Sequence, residues 1–312
     1  MKLKNAIAIL IGFFLLGAFW VGFKISQELM TEQAVSTAAP SSLTESLELV
    51  FSPPSLDDVP DGPLGESIKY GHKLVDESSS AMPQYVGNKL SCTSCHAGAG
   101  LEKESSPLVG VASVFPQYRP REGVVFTLED RINGCMVRSM NGEKLPYDSK
   151  EMRAMVAYLT YISEGVPVDA DVPWRMQNTM KDIPEPEVAA GEELYQKSCI
   201  ACHAADGAGL DSNSGPALWG ENSFNDGAGM SRLAKMAGYL QNNMPKGQEG
   251  TLSKQDAANI AAFVLSHDRP EWKGHETDWP KGGRPNDIIN KERREQIQNN
   301  TIDWNEVIKP AN

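Results

Sequence analysis

The chain has 312 residues with 40% hydrophobic and 22% charged content, which excludes a wholly disordered polypeptide and leaves room for two domains. Asp and Glu outnumber Lys and Arg by 41 to 29, a formal net charge of -12, so the chain lacks the basic footprint of a protein that holds nucleic acid through its phosphates, and no nucleic-acid partner is expected. Five cysteines are too few for a disulfide framework, and four of them fall in two Cys-x-x-Cys pairs.

The first element in chain order is the uncharged 18-residue run Ala6–Phe23, flanked by Lys2, Lys4 and Lys24. As a helix it would extend about 27 Å, close to the thickness of a bilayer core. No small-x-small cleavage pattern closes the run, so residues 1–25 read as an N-terminal membrane anchor helix, with a cleaved export signal as the alternative. The leading lysines stay cytoplasmic, which puts the remainder on the periplasmic side of a bacterial inner membrane. Residues 26–66, rich in Ser, Thr, Pro and Asp, read as a linker with one short helix near Leu43 to Val50.

Two copies of one pattern follow. Cys92-Thr93-Ser94-Cys95-His96 precedes Gly98-Ala99-Gly100-Leu101, and Cys199-Ile200-Ala201-Cys202-His203 precedes Gly207-Ala208-Gly209-Leu210. Pro107-Leu108-Val109-Gly110 then corresponds to Pro216-Ala217-Leu218-Trp219-Gly220. In the first copy a helical stretch carries Leu128 and Ile132, and after the N-cap Ser149 a second helix carries Met152, Met155, Val156, Leu159 and Ile162 on one face. The second copy repeats this with Leu233, Met236 and Leu240, then Ser253 followed by Ala257, Ile260, Ala261 and Val264. No alternating strand pattern lies between them. The fold class is therefore mainly α, with two tandem domains at 67–182 and 183–270 joined through the proline-bearing stretch Asp169–Pro186. The tail, 271–312, contains Trp272, Trp279 and Trp304, which predict packing on the domains, and a short polar helix within Asp287–Asn299.

Cys-x-x-Cys-His is the attachment signature of c-type haem: two thiols bond to the haem vinyl groups and the adjacent imidazole binds the iron. The duplication predicts two covalent haems, on Cys92, Cys95 and His96 and on Cys199, Cys202 and His203. Zinc would want a second Cys or His pair at zinc spacing, and a thioredoxin-like site would want a βαβ context; neither is present. His72, His267 and His275 read as surface or packing residues. For the sixth iron ligands, Met244 lies 41 residues after His203 in Asn243-Met244-Pro245, with Met230 and Met236 as competitors. The equivalent position in the first copy, 39 residues after His96, is the unpaired Cys135, with Met136 and Met140 as rivals. A thiolate ligand lowers a haem's potential and a methionine raises it, so electrons would enter at the first haem and leave by the second. On a helix Arg131, Cys135 and Ser139 share one face, and Arg119, Arg121 and Arg138 add cations nearby, a cluster suited to a small, highly charged oxyanion.

These features resemble the dihaem thiosulfate dehydrogenases, which also act as tetrathionate reductases and are related to sulfur-oxidation cytochromes with a Cys-ligated haem. The resemblance covers most of residues 65–285 and rests on Tyr118-Arg119-Pro120-Arg121-Glu122-Gly123, on the run from Arg131 to Gly142 around Cys135, and on the run from Asp278 to Pro285. It implies that Cys135 is the distal ligand of the first haem at the active site, that Arg121, Arg131 and Ser139 surround the substrate, and that Met244 ligates the second haem. The implied reaction joins two thiosulfates into tetrathionate, or the reverse, with a periplasmic cytochrome c or terminal oxidase as electron acceptor. Some members carry a lysine beside the methionine that exchanges with it; here that neighbour is Asn243, which argues against ligand exchange, and Lys246 is a poorer substitute. The competing function is a membrane-tethered dihaem electron-transfer cytochrome without catalysis.

Overall fold

A computed structural model describes residues 49–210 and 215–309. The anchor expected at 1–25 and most of the linker lie outside the described residues, and among the described residues no helix is long and apolar enough to cross a membrane.

The described chain is mainly helical, and its two halves repeat one helix crossing. Helix α1 (Pro63–Asp76) starts with Pro at its first turn, a position where the missing N–H costs nothing, and buries Ile68, Leu74 and Val75. It packs on α3 (Lys150–Tyr161), which Ser149 caps by accepting from the Met152 N–H. In the second half α4 (Val188–Ser198) packs in the same way on α6 (Lys254–Ser266), capped by Ser253. A glycine sits at each crossing. A Cβ on Gly71 would lie 2.0 Å from the Ala154 carbonyl oxygen, and one on Gly191 would lie 2.1 Å from that of Asn259, so both backbones approach closer than any other side chain permits.

Between the crossing helices, each half carries its cysteine motif and one further helix: α2 (Leu128–Arg138) in the first and α5 (Leu233–Asn243) in the second. Thr127 and Asp130 form a reciprocal capping box at the start of α2. Just before it, the strands β1 (Gln117–Arg119) and β2 (Val124–Phe126) pair antiparallel, with Arg119 opposite Val124, as the only sheet among the described residues. Strands this short leave no room for the alternation that reveals a strand in sequence, and the reading above contains none.

The tail packs on the domains, as its tryptophans predict; α7 (Lys291–Gln298) lies inside the predicted segment, and Trp304 is buried. Helix α5 has no capping side chain of its own, and Asp287 of the tail substitutes for one, accepting from the Ala234 N–H at 3.0 Å and from Arg232 Nε at 2.9 Å. Deeper in, Asp226 is 1% exposed and accepts from Arg294 (3.0 Å), His275 Nε2 (2.7 Å) and the Trp272 backbone N–H (2.7 Å), so one buried carboxylate gathers three points of the tail.

The halves are stitched together at the C-terminal end of α2. Asn88 Nδ2 donates to the carbonyls of Ser139 (2.9 Å) and Ser223 (3.1 Å), and Asn225 Nδ2 donates to that of Val137 (2.9 Å) while its backbone N–H reaches that of Arg138 (3.3 Å). Carbonyls at a helix end have no partner within the helix; here Asn88 of the first half satisfies that of Ser139 and Asn225 of the second half those of Val137 and Arg138.

Candidate active site and haem clefts

Each Cys-x-x-Cys-His motif opens onto a cleft. The first is lined by Cys92, Cys95, His96, Arg131, Cys135 and Ser139, and the second by Cys199, Cys202, His203 and Met244. In both, the histidine is prepared as a ligand by its neighbour. His96 Nδ1 lies 2.5 Å from the Ser106 carbonyl oxygen and His203 Nδ1 lies 2.9 Å from that of Pro216. A carbonyl only accepts, so Nδ1 carries the proton and Nε2 keeps its lone pair. Burial also holds both imidazoles below their ordinary pKa, favouring the neutral form that binds a metal. The motif thiols face the opposite pressure: burial pushes Cys92 up to about 11, Cys95 up to about 12 and Cys199 up to about 11, an environment that suits uncharged sulfur such as a thioether. Among the described residues there is no group of three or more His, Cys, Asp or Glu able to hold a metal ion by itself, which leaves the zinc reading without ligands. The donor set therefore fits two c-type haems, which Cys92, Cys95 and His96 and, in the second cleft, Cys199, Cys202 and His203 would hold.

The distal wall of the first cleft is α2. One helical turn brings Arg131 onto Cys135, with Nη1 donating to Sγ at 2.8 Å, and the electrostatic interaction with Cys135 is the largest cause of the raised Arg131 pKa. Ser139, at the C-cap of the same helix, lines the cleft beside them. Of the rivals to Cys135, Met136 is turned into the core at 1% exposure, while Met140 lines the cleft. Gly134 lets the helix pass close to Arg138, whose Nη2 would lie 3.0 Å from a Cβ there.

The other arginines of the cluster are placed differently. Arg121 does not line the cleft; it pairs with Asp278 at 2.7 Å and lies over the Trp279 ring at 4.7 Å from its centroid. Arg138 pairs with Glu122 at 2.6 Å, and Arg119 approaches the same carboxylate at 3.8 Å. The Trp279 N–H donates to the Arg121 carbonyl at 2.6 Å, and a Cβ on Gly123 would meet Pro280 at 2.5 Å, so the hairpin turn carrying Arg121 and the tail run from Asp278 fit against each other as one unit. Two cations that the sequence reading did not single out, Arg175 and Lys235, do line the cleft. Arg175 comes from the stretch joining the halves, and Lys235 from α5 between the buried Ala234 and Met236. A lysine flanked by core residues was the available signal.

In the second cleft, Met244 stands where α5 ends, its backbone already extended, and Met230 and Met236 line the same space. Asn243 is fixed away from any ligand role: it is 1% exposed, accepts from Ser105 Oγ at 2.7 Å and donates to the Tyr239 carbonyl at 3.2 Å. Lys246 lines the cleft and pairs with Glu102 at 3.4 Å. Of the remaining histidines, His72 packs edge-on against Tyr158 and His267 stacks on Trp219 at 4.0 Å, both in packing roles. The clefts share part of their lining, including Cys95, Phe224, Met230 and Tyr239, so single side chains separate them.

Known proteins with this arrangement are close at hand. Residues 83–168 match the family model described as SoxA/TsdA, cytochrome c domain, and residues 186–264 match cytochrome C oxidase, cbb3-type, subunit III. The thiosulfate dehydrogenase of Allochromatium vinosum is 44% identical over 220 residues, covering 68% of this chain and 82% of that protein. The thiosulfate dehydrogenase of Psychrobacter arcticus is 36% identical over 239 residues, covering 75% of this chain and 73% of that one. Among solved structures, the thiosulfate dehydrogenase TsdBA from Marichromatium purpuratum superposes with a TM-score of 0.69 at 30% identity; it covers 76% of this chain, which spans about half (53%) of that longer one. With two cytochrome c domains, two haem clefts and relatives of this similarity along most of its length, the chain belongs to the dihaem c-type cytochrome family of thiosulfate dehydrogenases.

Proposed function

We propose that the protein oxidises two thiosulfates to tetrathionate at Cys135 and passes the electrons outward through the second haem. The observation that carries this reading is the Arg131–Cys135 contact of 2.8 Å on the wall of the first haem's cleft, a sulfur nucleophile held beside a guanidinium. The haems supply an acceptor for two electrons, one each. The work of the chain's own residues is to bind and orient sulfur. Arg131 offsets the repulsion between a dianion and the Cys135 thiolate and orients the sulfonate, with Ser139 as a further donor. Attack between Cys135 Sγ and the sulfane sulfur forms one S–S bond and releases two electrons, leaving a thiosulfonate on the cysteine. A second thiosulfate attacks that sulfur, forms the central S–S bond of tetrathionate and returns Cys135 as thiolate. No proton is exchanged in either step. Arg121, held by Asp278, acts from behind this group by fixing the hairpin turn.

We read Met244 as the second haem's sixth ligand, because it lines the cleft where α5 ends on an extended backbone, whereas Met236 lies inside the helix and is buried in the core. Met244→Ala is then expected to change the spectrum and midpoint potential of one haem while the thiolate-ligated haem keeps its signature; the same change from Met236→Ala would assign the ligand there instead. The c-type haem domains are periplasmic, and Ala6–Phe23 would tether them to the inner membrane beside a cytochrome c or terminal oxidase that accepts the electrons.

The test of the function is thiosulfate-dependent haem reduction in the purified protein, with ferricyanide as final acceptor and tetrathionate measured as product. Arg131→Ala should lower turnover on the order of ten- to a hundredfold, the size of a lost charge-assisted contact of about 1.5–3 kcal/mol, with both haems still attached. Arg131→Lys should recover only part, since it keeps the charge and loses the fork. Absence of haem reduction by thiosulfate in the parent protein would remove the proposal.

A further inference from the structure

The first haem's cleft holds more positive charge than the reaction at Cys135 uses. Arg131, Arg175 and Lys235 line it, and among the described residues no carboxylate does. Acids around it are engaged elsewhere, Glu122 with Arg138 and Arg119, Asp278 with Arg121, and Asp287 with Arg232, and Asp171 acts on Arg175 through its charge without forming an ion pair with it. Arg131 has the Cys135 sulfur. Lys235 Nζ finds only neutral partners, Thr179 Oγ1 at 2.5 Å and Met176 Sδ at 3.7 Å. The Arg175 guanidinium makes no hydrogen bond or ion pair with any described residue. Burial, then the neighbouring charges of Arg232 and Arg175, draws the Lys235 pKa down to about 8 against the partial relief of Asp287. Burial, then Arg131 and Arg119, lowers that of Arg175 against the partial relief of Asp171. Two half-buried cations crowded by like charge require a counter-charge in the folded protein.

We propose that Arg175 and Lys235 form an oxyanion seat in the first haem's cleft, separate from the Arg131–Cys135 pair and occupied by a propionate carboxylate of the haem. A guanidinium and an ammonium side by side match any delocalised oxyanion, and two reach this cleft: the haem's carboxylates and the sulfonate of a second thiosulfate. The carboxylate is favoured because it arrives with the cofactor in every molecule and neutralises the pair at all times, whereas a substrate would leave it unpaired between turnovers. Only the sulfonate alternative rests on the proposed function. Since Lys235 belongs to α5, the second domain thereby holds the first domain's cofactor.

The test uses holoprotein variants Arg175→Gln and Lys235→Met, with Arg175→Lys and Lys235→Arg as conservative controls. The readouts are the propionate bending bands in the resonance Raman spectrum, the midpoint potential of the thiolate-ligated haem without substrate, and KM for thiosulfate. The propionate bands should shift and the potential should fall, because loss of a nearby positive charge disfavours the reduced state. The conservative variants should restore both at least partly, and KM should stay within about twofold. Unchanged bands and potential with KM raised about tenfold or more would keep the seat and assign it to the second sulfonate. If bands, potential and KM all match the parent, the seat is overturned. A parent protein inactive with thiosulfate would refute the proposed function, and the Raman bands and potential would still decide the seat.

Discussion

Cys135→Ser is expected to lower thiosulfate oxidation on the order of a thousandfold or more, about 4 kcal/mol of transition-state stabilisation, while denatured-protein mass still shows two covalent haems. Serine is the informative substitution because its hydroxyl can still accept from Arg131, so the cationic wall keeps a partner and the cleft its shape. What is lost is the sulfur that forms the first S–S bond. The variant should also lose the low-spin thiolate signature of the first haem, tying ligand and nucleophile to one atom. Cys135→Ala should be equally inactive and additionally leave Arg131 without its hydrogen-bond partner. Tetrathionate formation by the serine variant at the parental rate would remove Cys135 as the nucleophile.

The largest effect on stability is expected at Asp226, far from any chemistry. Its carboxylate is 1% exposed and its partner Arg294 has a side chain 3% exposed, so neither charge has water to fall back on. Asp226→Ala would strand Arg294 and His275 at once, and breaking one side of a buried pair costs about 3–5 kcal/mol. Denaturant unfolding of the holoprotein measures it, and a loss below about 1 kcal/mol would show that the tail does not depend on this carboxylate. The pH dependence has a definite sign. Burial alone would raise the Asp226 pKa, but hydrogen bonds from His275, the Trp272 N–H and Arg294 outweigh it and hold the pKa below the ordinary value. A depressed folded-state pKa means that the contribution is present above the unfolded carboxylate's pKa of about 4 and is lost as pH falls through the folded one, so parent and variant should converge in acid.

Much of this was legible in the sequence, for reasons that differ by element. The haem motifs were plain because covalent attachment demands fixed residues at fixed spacing, and α3 and α6 were plain because each pairs a serine cap with an unbroken apolar face. Helix α1 was not: the segment 26–66 read as linker reaches past its start at Pro63, and two of its core-facing positions are Gly65 and Gly71, which bury backbone instead of an apolar side chain and so erase the periodicity. In the site, Arg131, Cys135 and Ser139 were legible because one helix spaces them. Arg121 could be named from sequence but not placed, since its position depends on Asp278 and Trp279, more than 150 residues away. Arg175 and Lys235 reach the cleft only through the packing of one half on the other, which no local pattern encodes.

That packing bears on what the wall of the first cleft is made of. The carbonyls that end α2, directly after Cys135, are satisfied by Asn88 and by Asn225 across the boundary between the halves. Swinging the halves apart would strip the Val137 and Arg138 carbonyls of their Asn225 donors, at about 1–3 kcal/mol for each buried group left unmet. The second half is thus a structural part of the first cleft's wall, since the helix that carries Cys135 ends on donors that only the other half can bring.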